Sequence, residues 1–259
     1  MRFPLAAIVR RIETQALLLL FAAAAGIWAF LAIGGDMREG ETLGLDRRLL
    51  LMLRAPGDPD RPIGSHAFQE AMRDITALGG FTVLTLVTAV AAIAFVIHQR
   101  RRHALVLVGT VLTAQVLSER LKTIYDRPRP ALAPHGVYVY SGSFPSGHSM
   151  LSAATYLTLA MLIASLEPRR TSKALVFGLA ALLMLAVGFS RIYLAVHWPS
   201  DVLAGWCAGA ACAFIAWLAL LRMAPRMQRP GAMEAPATDL GLDGDAKDTS
   251  PVRERPRGR

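Results

Sequence analysis

Residues 75–99 read ITALGGFTVLTLVTAVAAIAFVIHQ and contain no Asp, Glu, Lys or Arg. Such a run is long enough to cross the hydrocarbon core of a bilayer as a helix, which takes roughly 20 apolar residues. Five other runs also lack those four residue types, at residues 15–35, 104–118, 149–166, 174–190 and 202–221. They show no clear alternation of apolar and polar residues, which disfavours a membrane β-barrel. The sequence therefore predicts an all-α, polytopic membrane bundle of six transmembrane helices.

The overall composition agrees with a membrane location. Hydrophobic residues make up 54% of the 259-residue chain and charged residues only 18%, which is too apolar for an ordinary soluble domain. The net charge of +9 could indicate a nucleic-acid partner, but the basic residues are spread over loops and form no recognised nucleic-acid module. We therefore expect a membrane-embedded protein that does not bind nucleic acid.

The arginines predict the orientation of the six spans, because short loops rich in Lys and Arg stay cytoplasmic. Basic residues cluster before the first span, between spans two and three, between spans four and five, and after the sixth, at Arg10 and Arg11, 100–102, 169–173 and 222–229. With six spans, all four clusters lie on one face. Both termini are then cytoplasmic, and the loop at residues 36–74 is extracytoplasmic.

Three further features complete the predicted organisation. Within the 36–74 loop, residues 43–53 mix leucines with charges and suit a helix lying at the membrane interface. Residues 1–223 form the membrane domain, while residues 224–259, rich in Pro, Gly, Asp and Arg, form a disordered cytoplasmic tail. The first run could instead be a cleaved signal sequence, although its length favours a retained helix.

Three short segments lie together on the predicted extracytoplasmic face: KTIYDRPRP at 122–130, FPSGHS at 144–149 and SRIYLAVHWPSD at 190–201. The runs at 104–118 and 174–190 each end where one of these segments begins, so their helices are expected to continue into it. Together the segments hold cations, histidines, a carboxylate and a glycine-containing helix entry. These groups suit the binding and transfer of a phosphoryl group through a histidine, without a metal or cofactor.

In the first two segments the residue types are those that bind anions. Lys122 and Arg129 bracket a helix end and can clamp a phosphate, although such bases can also simply snorkel to the membrane edge. Ser146 is the expected N-cap of the fourth span, so free backbone N–H groups follow it. Gly147 lets the backbone approach oxygen atoms closely, and His148 can donate a proton to a leaving oxygen.

The third segment joins the fifth and sixth spans and supplies the predicted nucleophile. Arg191 adds a third cation, and Pro199 marks the start of the sixth helix between His197 and Asp201. A carboxylate in that first turn can accept a hydrogen bond from one imidazole nitrogen, which leaves the other nitrogen free to attack. Tyr193 and Trp198 have the residue types of interface anchors.

These three signatures resemble those of the type 2 phosphatidic acid phosphatase family. The pattern is Lys, six residues, Arg-Pro; then Pro-Ser-Gly-His; then Ser-Arg, five residues, His, three residues, Asp. The resemblance implies a metal-free hydrolysis in two steps. His197, oriented by Asp201, would attack phosphorus, and His148 would protonate the leaving group. The phosphate oxygens would be held by Lys122, Arg129, Ser146, Gly147 and Arg191, while Ser190 has no assigned role.

The six spans resemble the membrane branch of that family and argue against its soluble acid phosphatases and vanadium haloperoxidases. The implied substrate is a phosphorylated membrane lipid at the outer face of a bacterial inner membrane. Undecaprenyl diphosphate, phosphatidylglycerol phosphate and phosphatidic acid are candidates, and lipid A phosphate is another. A phosphotransferase with the same phosphohistidine and a non-catalytic lipid transporter stay open as alternatives, and the sequence leaves the oligomeric state undetermined.

Overall fold

The computed structural model describes residues 5–131 and 142–223, with side chains from residue 14 onward. The described chain is mostly helical, as predicted, and the predicted tail at 224–259 lies outside it. The helices are α1 Leu5–Glu39, α2 Leu43–Leu51, α3 His66–Ala77, α4 Phe81–Ile97, α5 Arg101–Tyr125, α6 Gly147–Leu166, α7 Arg170–Tyr193 and α8 Pro199–Met223. Two short strands that the sequence did not predict, β1 Arg54–Ala55 and β2 Asp58–Pro62, form an antiparallel ribbon.

Five of the described helices, α1, α5, α6, α7 and α8, are long and apolar enough to cross a membrane. A sixth span exists if α3 and α4, which meet at a bend of 50°, are counted as one broken span. The bend interrupts the run at 75–99 at its two glycines. A Cβ on Gly79 would lie 2.3 Å from Val187 Cγ1 and 3.3 Å from the carbonyl oxygen of His148. The chain therefore breaks where its backbone contacts α6 and α7 too closely for any side chain.

Two helices continue beyond their apolar runs, as predicted. Helix α5 extends from the run at 104–118 to Tyr125, and α7 extends from the run at 174–190 to Tyr193. Each added segment carries a predicted site residue, Lys122 on α5 and Arg191 on α7. The helices therefore hold these two cations on rigid backbone instead of on loops.

Helix α6 is the most enclosed of the candidate spans, and α8 packs closely along it. Glycines on α8 permit this approach, because a Cβ on Gly205 would lie 2.7 Å from the Ser146 carbonyl oxygen and one on Gly209 would lie 2.3 Å from that of Met150. Small residues at helix contacts are typical of membrane bundles. The first turn of α8 is thereby fixed beside the first turn of α6, and both carry predicted site residues.

The ribbon and α3 cover the C-terminal end of α7. Arg54 of β1 donates a hydrogen bond of 2.6 Å to the carbonyl oxygen of Tyr193, and the Tyr193 hydroxyl donates one to the carbonyl oxygen of Ile63. Tyr193 is only 1% exposed, and its ring packs edge-on against Phe68 of α3. The prediction that Tyr193 is an interface anchor is therefore wrong, because the connection at 52–65 folds over it.

Candidate active site

The three predicted segments meet at one end of the bundle. A hydrogen bond of 2.9 Å from the Ser146 amide to the Asp201 carbonyl oxygen joins the starts of α6 and α8. Arg129 lies 3.3 Å from His197, measured from Nη1 to Nε2, and Lys122 lies beside Gly147. His148 is close enough to Arg191, His197, Lys122 and Arg129 to interact with each of them electrostatically. All eight predicted site residues are thus brought together.

The hydrogen bonds of His197 define which ring nitrogen carries its proton. Nδ1 lies 2.8 Å from the Ser143 carbonyl oxygen and 3.5 Å from Oδ2 of Asp201, and both of these groups are acceptors. Nε2 lies 3.3 Å from the Arg129 guanidinium, which can only donate. The proton is therefore assigned to Nδ1. The lone pair on Nε2 points toward the cationic side of the site, which is the arrangement a nucleophilic imidazole needs.

Burial keeps this imidazole neutral. The His197 side chain is almost fully enclosed, and desolvation lowers its pKa from the ordinary 6.5 to about 4. Asp201 opposes the shift through its hydrogen bond and charge, while Arg191 and Arg129 add to it. At neutral pH the ring is therefore uncharged and its Nε2 is unprotonated.

Asp201 lies in the first turn of α8, as predicted, and is fully buried. Its Oδ2 accepts a hydrogen bond of 2.9 Å from the backbone N–H of Trp198, as the acidic residue of a capping box does. Its distance to His197 is longer than that of the Ser143 carbonyl oxygen. The imidazole is thus oriented by two acceptors, of which the sequence predicted only the carboxylate, because a backbone carbonyl has no side-chain signature.

The N-terminus of α6 has the local structure of an anion-binding turn. Ser146 is its N-cap, as predicted, and its hydroxyl oxygen accepts hydrogen bonds from the amide and the hydroxyl of Ser149. A Cβ on Gly147 would lie 3.2 Å from both Lys122 Nζ and Ser118 Oγ. Glycine therefore allows the lysine to lie against the helix start, where the free N–H groups and the helix dipole favour negative charge.

His148 follows Gly147 and faces the break between α3 and α4. A Cβ built on Gly80 would lie 3.8 Å from His148 Nε2, which shows that this nitrogen points at the glycine pair. The side chain is half-buried among the cationic residues of the site. A proton donor in this position is adjacent to the anion-binding turn on one side and to the bent span on the other.

The three predicted cations have different partners. Arg191 donates from Nη1 to the Thr76 hydroxyl at 3.0 Å, while its buried Nε has no hydrogen-bond partner among the described residues. Arg129 donates to the Val196 carbonyl oxygen at 2.7 Å, and burial lowers the pKa of its guanidinium. Lys122 pairs with the exposed Glu119 at 2.9 Å. A buried donor without a partner, as at Arg191 Nε, favours an anionic ligand.

A second charged group lies behind His197 and was not predicted. Arg127, Asp46 and Ser200 are all buried, and they connect helix α2 to the first turn of α8. Arg127 lies within the segment that the sequence singled out, yet the pattern there drew attention to Lys122 and Arg129. Ser190, which had no assigned role, is buried and donates its hydroxyl to the Val187 carbonyl oxygen at 2.6 Å.

No group of three or more His, Cys, Asp or Glu side chains in residues 14–131 and 142–223 is arranged to hold a metal ion. The donors that converge at the site are instead Lys and Arg side chains and backbone N–H groups, which bind oxyanions. The geometry thus combines a neutral imidazole, a second imidazole and three cations around a helix N-terminus.

Comparison with known proteins identifies the family of this chain. Residues 103–223 match the family model described as the PAP2 superfamily. Phosphatidylglycerophosphatase B of Bacillus subtilis is 33% identical over 147 residues, which are 56% of this chain and 72% of that protein. An undecaprenyl-diphosphatase of Sulfolobus acidocaldarius is 29% identical over 49% of this chain and 59% of its own length.

A solved structure is also similar. The crystal structure of a transmembrane PAP2-type phosphatidylglycerolphosphate phosphatase from Bacillus subtilis superposes with a TM-score of 0.69 at 25% sequence identity, covering 80% of this chain and all of that one. The family match at residues 103–223 includes all eight predicted site residues and extends from α5 to the end of α8. With this fold, this site and these relatives, the chain belongs to the PAP2 superfamily.

Proposed function

We propose that this protein is a membrane lipid phosphatase that transfers the phosphoryl group of its substrate first to His197 and then to water. The observation that carries the proposal is the state of His197, whose Nε2 lone pair faces Arg129 while Nδ1 is held by two acceptors. A neutral imidazole held in this way is prepared to attack an electrophile bound by the neighbouring cations.

In the first step His197 Nε2 attacks phosphorus, the P–N bond forms and the bond to the leaving oxygen breaks. The negative charge of the bound phosphate favours the protonated form of His148. His148 gives this proton to the leaving oxygen, which departs as an alcohol or, from a diphosphate, as a lipid monophosphate. Lys122, Arg129, Arg191 and the N-terminus of α6 stabilise the charge on the three equatorial oxygens. These cations supply the positive charge that a phosphoryl transfer requires, so the reaction is proposed to need no metal.

In the second step water attacks the phosphohistidine. His148, now neutral, accepts a proton from the water as the P–O bond forms and the P–N bond breaks. Phosphate then leaves, and His197 returns to its neutral form with the proton on Nδ1. The Ser143 carbonyl oxygen and Asp201 hold that proton throughout and stabilise the positive charge on the ring while it is phosphorylated.

The proposed substrate is a lipid whose phosphate or diphosphate headgroup reaches the end of the bundle. The names of the two relatives support phosphatidylglycerol phosphate and undecaprenyl diphosphate as the first candidates. Phosphatidic acid and lipid A phosphate belong in the same comparison, since a site that binds mainly phosphoryl oxygens places few demands on the rest of the headgroup.

The same proposal includes the orientation in the inner membrane, with the site on the periplasmic side and both termini in the cytoplasm. The basic residues at the opposite end of the bundle support it, since Arg100–Arg102 and Arg169 follow the positive-inside rule. In cells, with Cys207 and Cys212 replaced by alanine, a membrane-impermeant maleimide should label Asp58→Cys and leave Arg101→Cys unlabelled. The reverse labelling would overturn the orientation.

The function is tested by phosphate release from detergent-purified protein in the presence of EDTA. The substrates are undecaprenyl diphosphate, phosphatidylglycerol phosphate, phosphatidic acid and lipid A, and His197→Ala is measured beside His66→Ala, an exposed histidine of α3. We expect release that survives EDTA, persists in His66→Ala and is lost in His197→Ala. Release by His197→Ala would refute the mechanism, and transfer of phosphate to a second lipid would establish a phosphotransferase.

A further inference from the structure

The buried group behind His197 is an alternating chain of charges. Arg127 donates from Nη1 to Asp201 Oδ1 at 2.5 Å and from Nη2 to Asp46 Oδ2 at 2.7 Å. The three side chains are no more than 7% exposed, so this cluster is enclosed by protein. We refer to Asp46, Arg127 and Asp201 as the carboxylate bridge.

Ser200 joins Asp46 to Arg127 a second time. Its hydroxyl donates to Asp46 Oδ2 at 2.6 Å and accepts from Arg127 Nη1 at 2.8 Å, while its backbone N–H donates to Asp46 Oδ1 at 2.8 Å. Asp46, which lies on α2, therefore accepts a hydrogen bond from a free N–H group in the first turn of α8. A carboxylate at this place also complements the dipole of α8, so Asp46 fixes the turn on which Asp201 lies.

Asp201 is one of the two acceptors that orient His197, beside the Ser143 carbonyl oxygen. Its two oxygens have separate tasks, since Oδ1 contacts Arg127 while Oδ2 contacts Trp198 N–H and lies beside His197 Nδ1. The guanidinium is planar and binds Oδ1 in a fixed direction, which limits rotation of the carboxylate. The bridge therefore holds the oxygen that faces the nucleophile.

We propose that Asp46 and Arg127 are positioning residues of the phosphoryl-transfer reaction, acting through Asp201 to hold His197 in its attacking geometry. This inference rests on the function proposed above. It gives helix α2 a part in catalysis, although Asp46 lies outside residues 103–223, which match the family model. Neither residue touches the phosphate site, since both are bound on the far side of Asp201.

The net charge of the bridge predicts which of its variants lose the most activity. The intact trio carries one net negative charge. Arg127→Gln leaves two carboxylates buried without their shared cation, which is the most unfavourable arrangement. Asp46→Asn removes the second carboxylate but keeps the cation on Asp201, so its effect is smaller. The double variant Asp46→Asn with Arg127→Gln returns the trio to one negative charge.

The test measures kcat, KM and inhibition by inorganic phosphate for these variants, purified as monodisperse protein in detergent. We expect Arg127→Gln to lower kcat about 100-fold, the effect of a small misplacement of a reacting group. KM and the inhibition constant of phosphate should change little, because the cations that bind phosphate are untouched. The double variant should be more active than Arg127→Gln alone, and Arg127→Lys should recover part of kcat by restoring the charge without the planar fork.

Two exposed residues provide matched controls, Arg47→Gln on α2 and Asp74→Asn on α3, and both should retain wild-type kcat. If Arg127→Gln yields no monodisperse protein, the kcat values of Asp46→Asn and of the double variant decide whether the proposal holds. Wild-type kcat in Asp46→Asn would overturn the proposal, as would losses in the double variant equal to the product of the single losses. Parallel losses of kcat and phosphate affinity would also overturn it, since they indicate general damage to the site.

The same measurements separate this inference from the proposed function. If His197→Ala is inactive while the bridge variants behave like wild type, the phosphatase mechanism stands and the positioning role is wrong. If His197→Ala retains activity, the mechanism itself fails, whatever the bridge variants do.

Discussion

Two charged regions lie on opposite sides of His197, one buried and one partly buried, and they differ in how well their charges are satisfied. In the carboxylate bridge, both carboxylates and the guanidinium of Arg127 have close partners within the protein. In the second region, which we call the phosphate seat and define as Lys122, Arg129, Arg191 and the N-terminus of α6, positive charge exceeds negative charge. Arg191 Nε there has no partner among the described residues. A satisfied network supports structure, whereas surplus buried donors indicate where a ligand binds.

Among the residues beside the phosphate seat, we expect the largest loss of kcat on replacement of His148. His148→Ala should lower kcat for an alkyl phosphate substrate by about 10²- to 10⁴-fold, because the leaving oxygen loses its proton donor. The loss should be much smaller for p-nitrophenyl phosphate, whose leaving group departs without protonation. Equal losses for both substrates, measured by steady-state kinetics, would contradict the acid role.

Arg191 tests the surplus charge of the seat directly. Arg191→Gln should lower kcat/KM by about 10²- to 10³-fold, the range for removing one preorganised donor from a transition state. It should also weaken inhibition by inorganic phosphate, which the bridge variants should not do. Arg120→Gln, an exposed arginine on α5, is the control. A normal phosphate inhibition constant in Arg191→Gln would remove the distinction between the two regions.

The pH dependence of kcat/KM reports on His197, which lies between the two regions. Since burial lowers the pKa of His197 to about 4, its Nε2 is unprotonated at neutral pH, and protonation below that value removes the nucleophile. The acid limb of kcat/KM should therefore fall about tenfold per pH unit below about pH 4. Arg191 lowers this pKa, so the limb should move to higher pH in Arg191→Gln. A limb that stays in place would show that the seat does not act on His197.

The smallest effect concerns Glu119, which pairs with Lys122 in the structure. Because this carboxylate is half exposed, its attraction for the lysine is weak and screened by solvent. Glu119→Gln should lower KM by a factor of about two to five, since the lysine no longer exchanges one anion for another on binding. A higher KM would show that Glu119 instead holds Lys122 in its binding position. Thr123→Ser on the same helix is the control.

The contrast between the regions also explains what the sequence could predict. The residues of the seat and both histidines lie in short segments whose residue types and spacing carry their chemistry, and the helices were visible as uncharged runs. The carboxylate bridge was hidden because Asp46 and Arg127 are 81 positions apart. In a stretch that mixes leucines with arginines, Asp46 has the pattern of a surface charge, and only the folded position of α2 reveals it as buried.

Close backbone contacts were likewise invisible in the sequence. The glycine pair at Gly79 and Gly80 lies in an apolar run that predicts an uninterrupted span, but the helix bends there, where the backbone lies close to Val187 and His148. The Ser143 carbonyl oxygen orients His197, and any residue type could supply that group. Predictions from residue type reach side-chain chemistry, while backbone acceptors and contacts between distant helices need the tertiary structure.

The central claim is that His197 carries the phosphoryl group during turnover. It is tested by mixing the purified enzyme with substrate, quenching in alkali, in which phosphohistidine is stable, and locating phosphate on the peptides by mass spectrometry. We expect phosphate on His197 in the wild-type protein and none in His197→Ala. Turnover without a phosphoenzyme, or phosphate on a different residue, would contradict it.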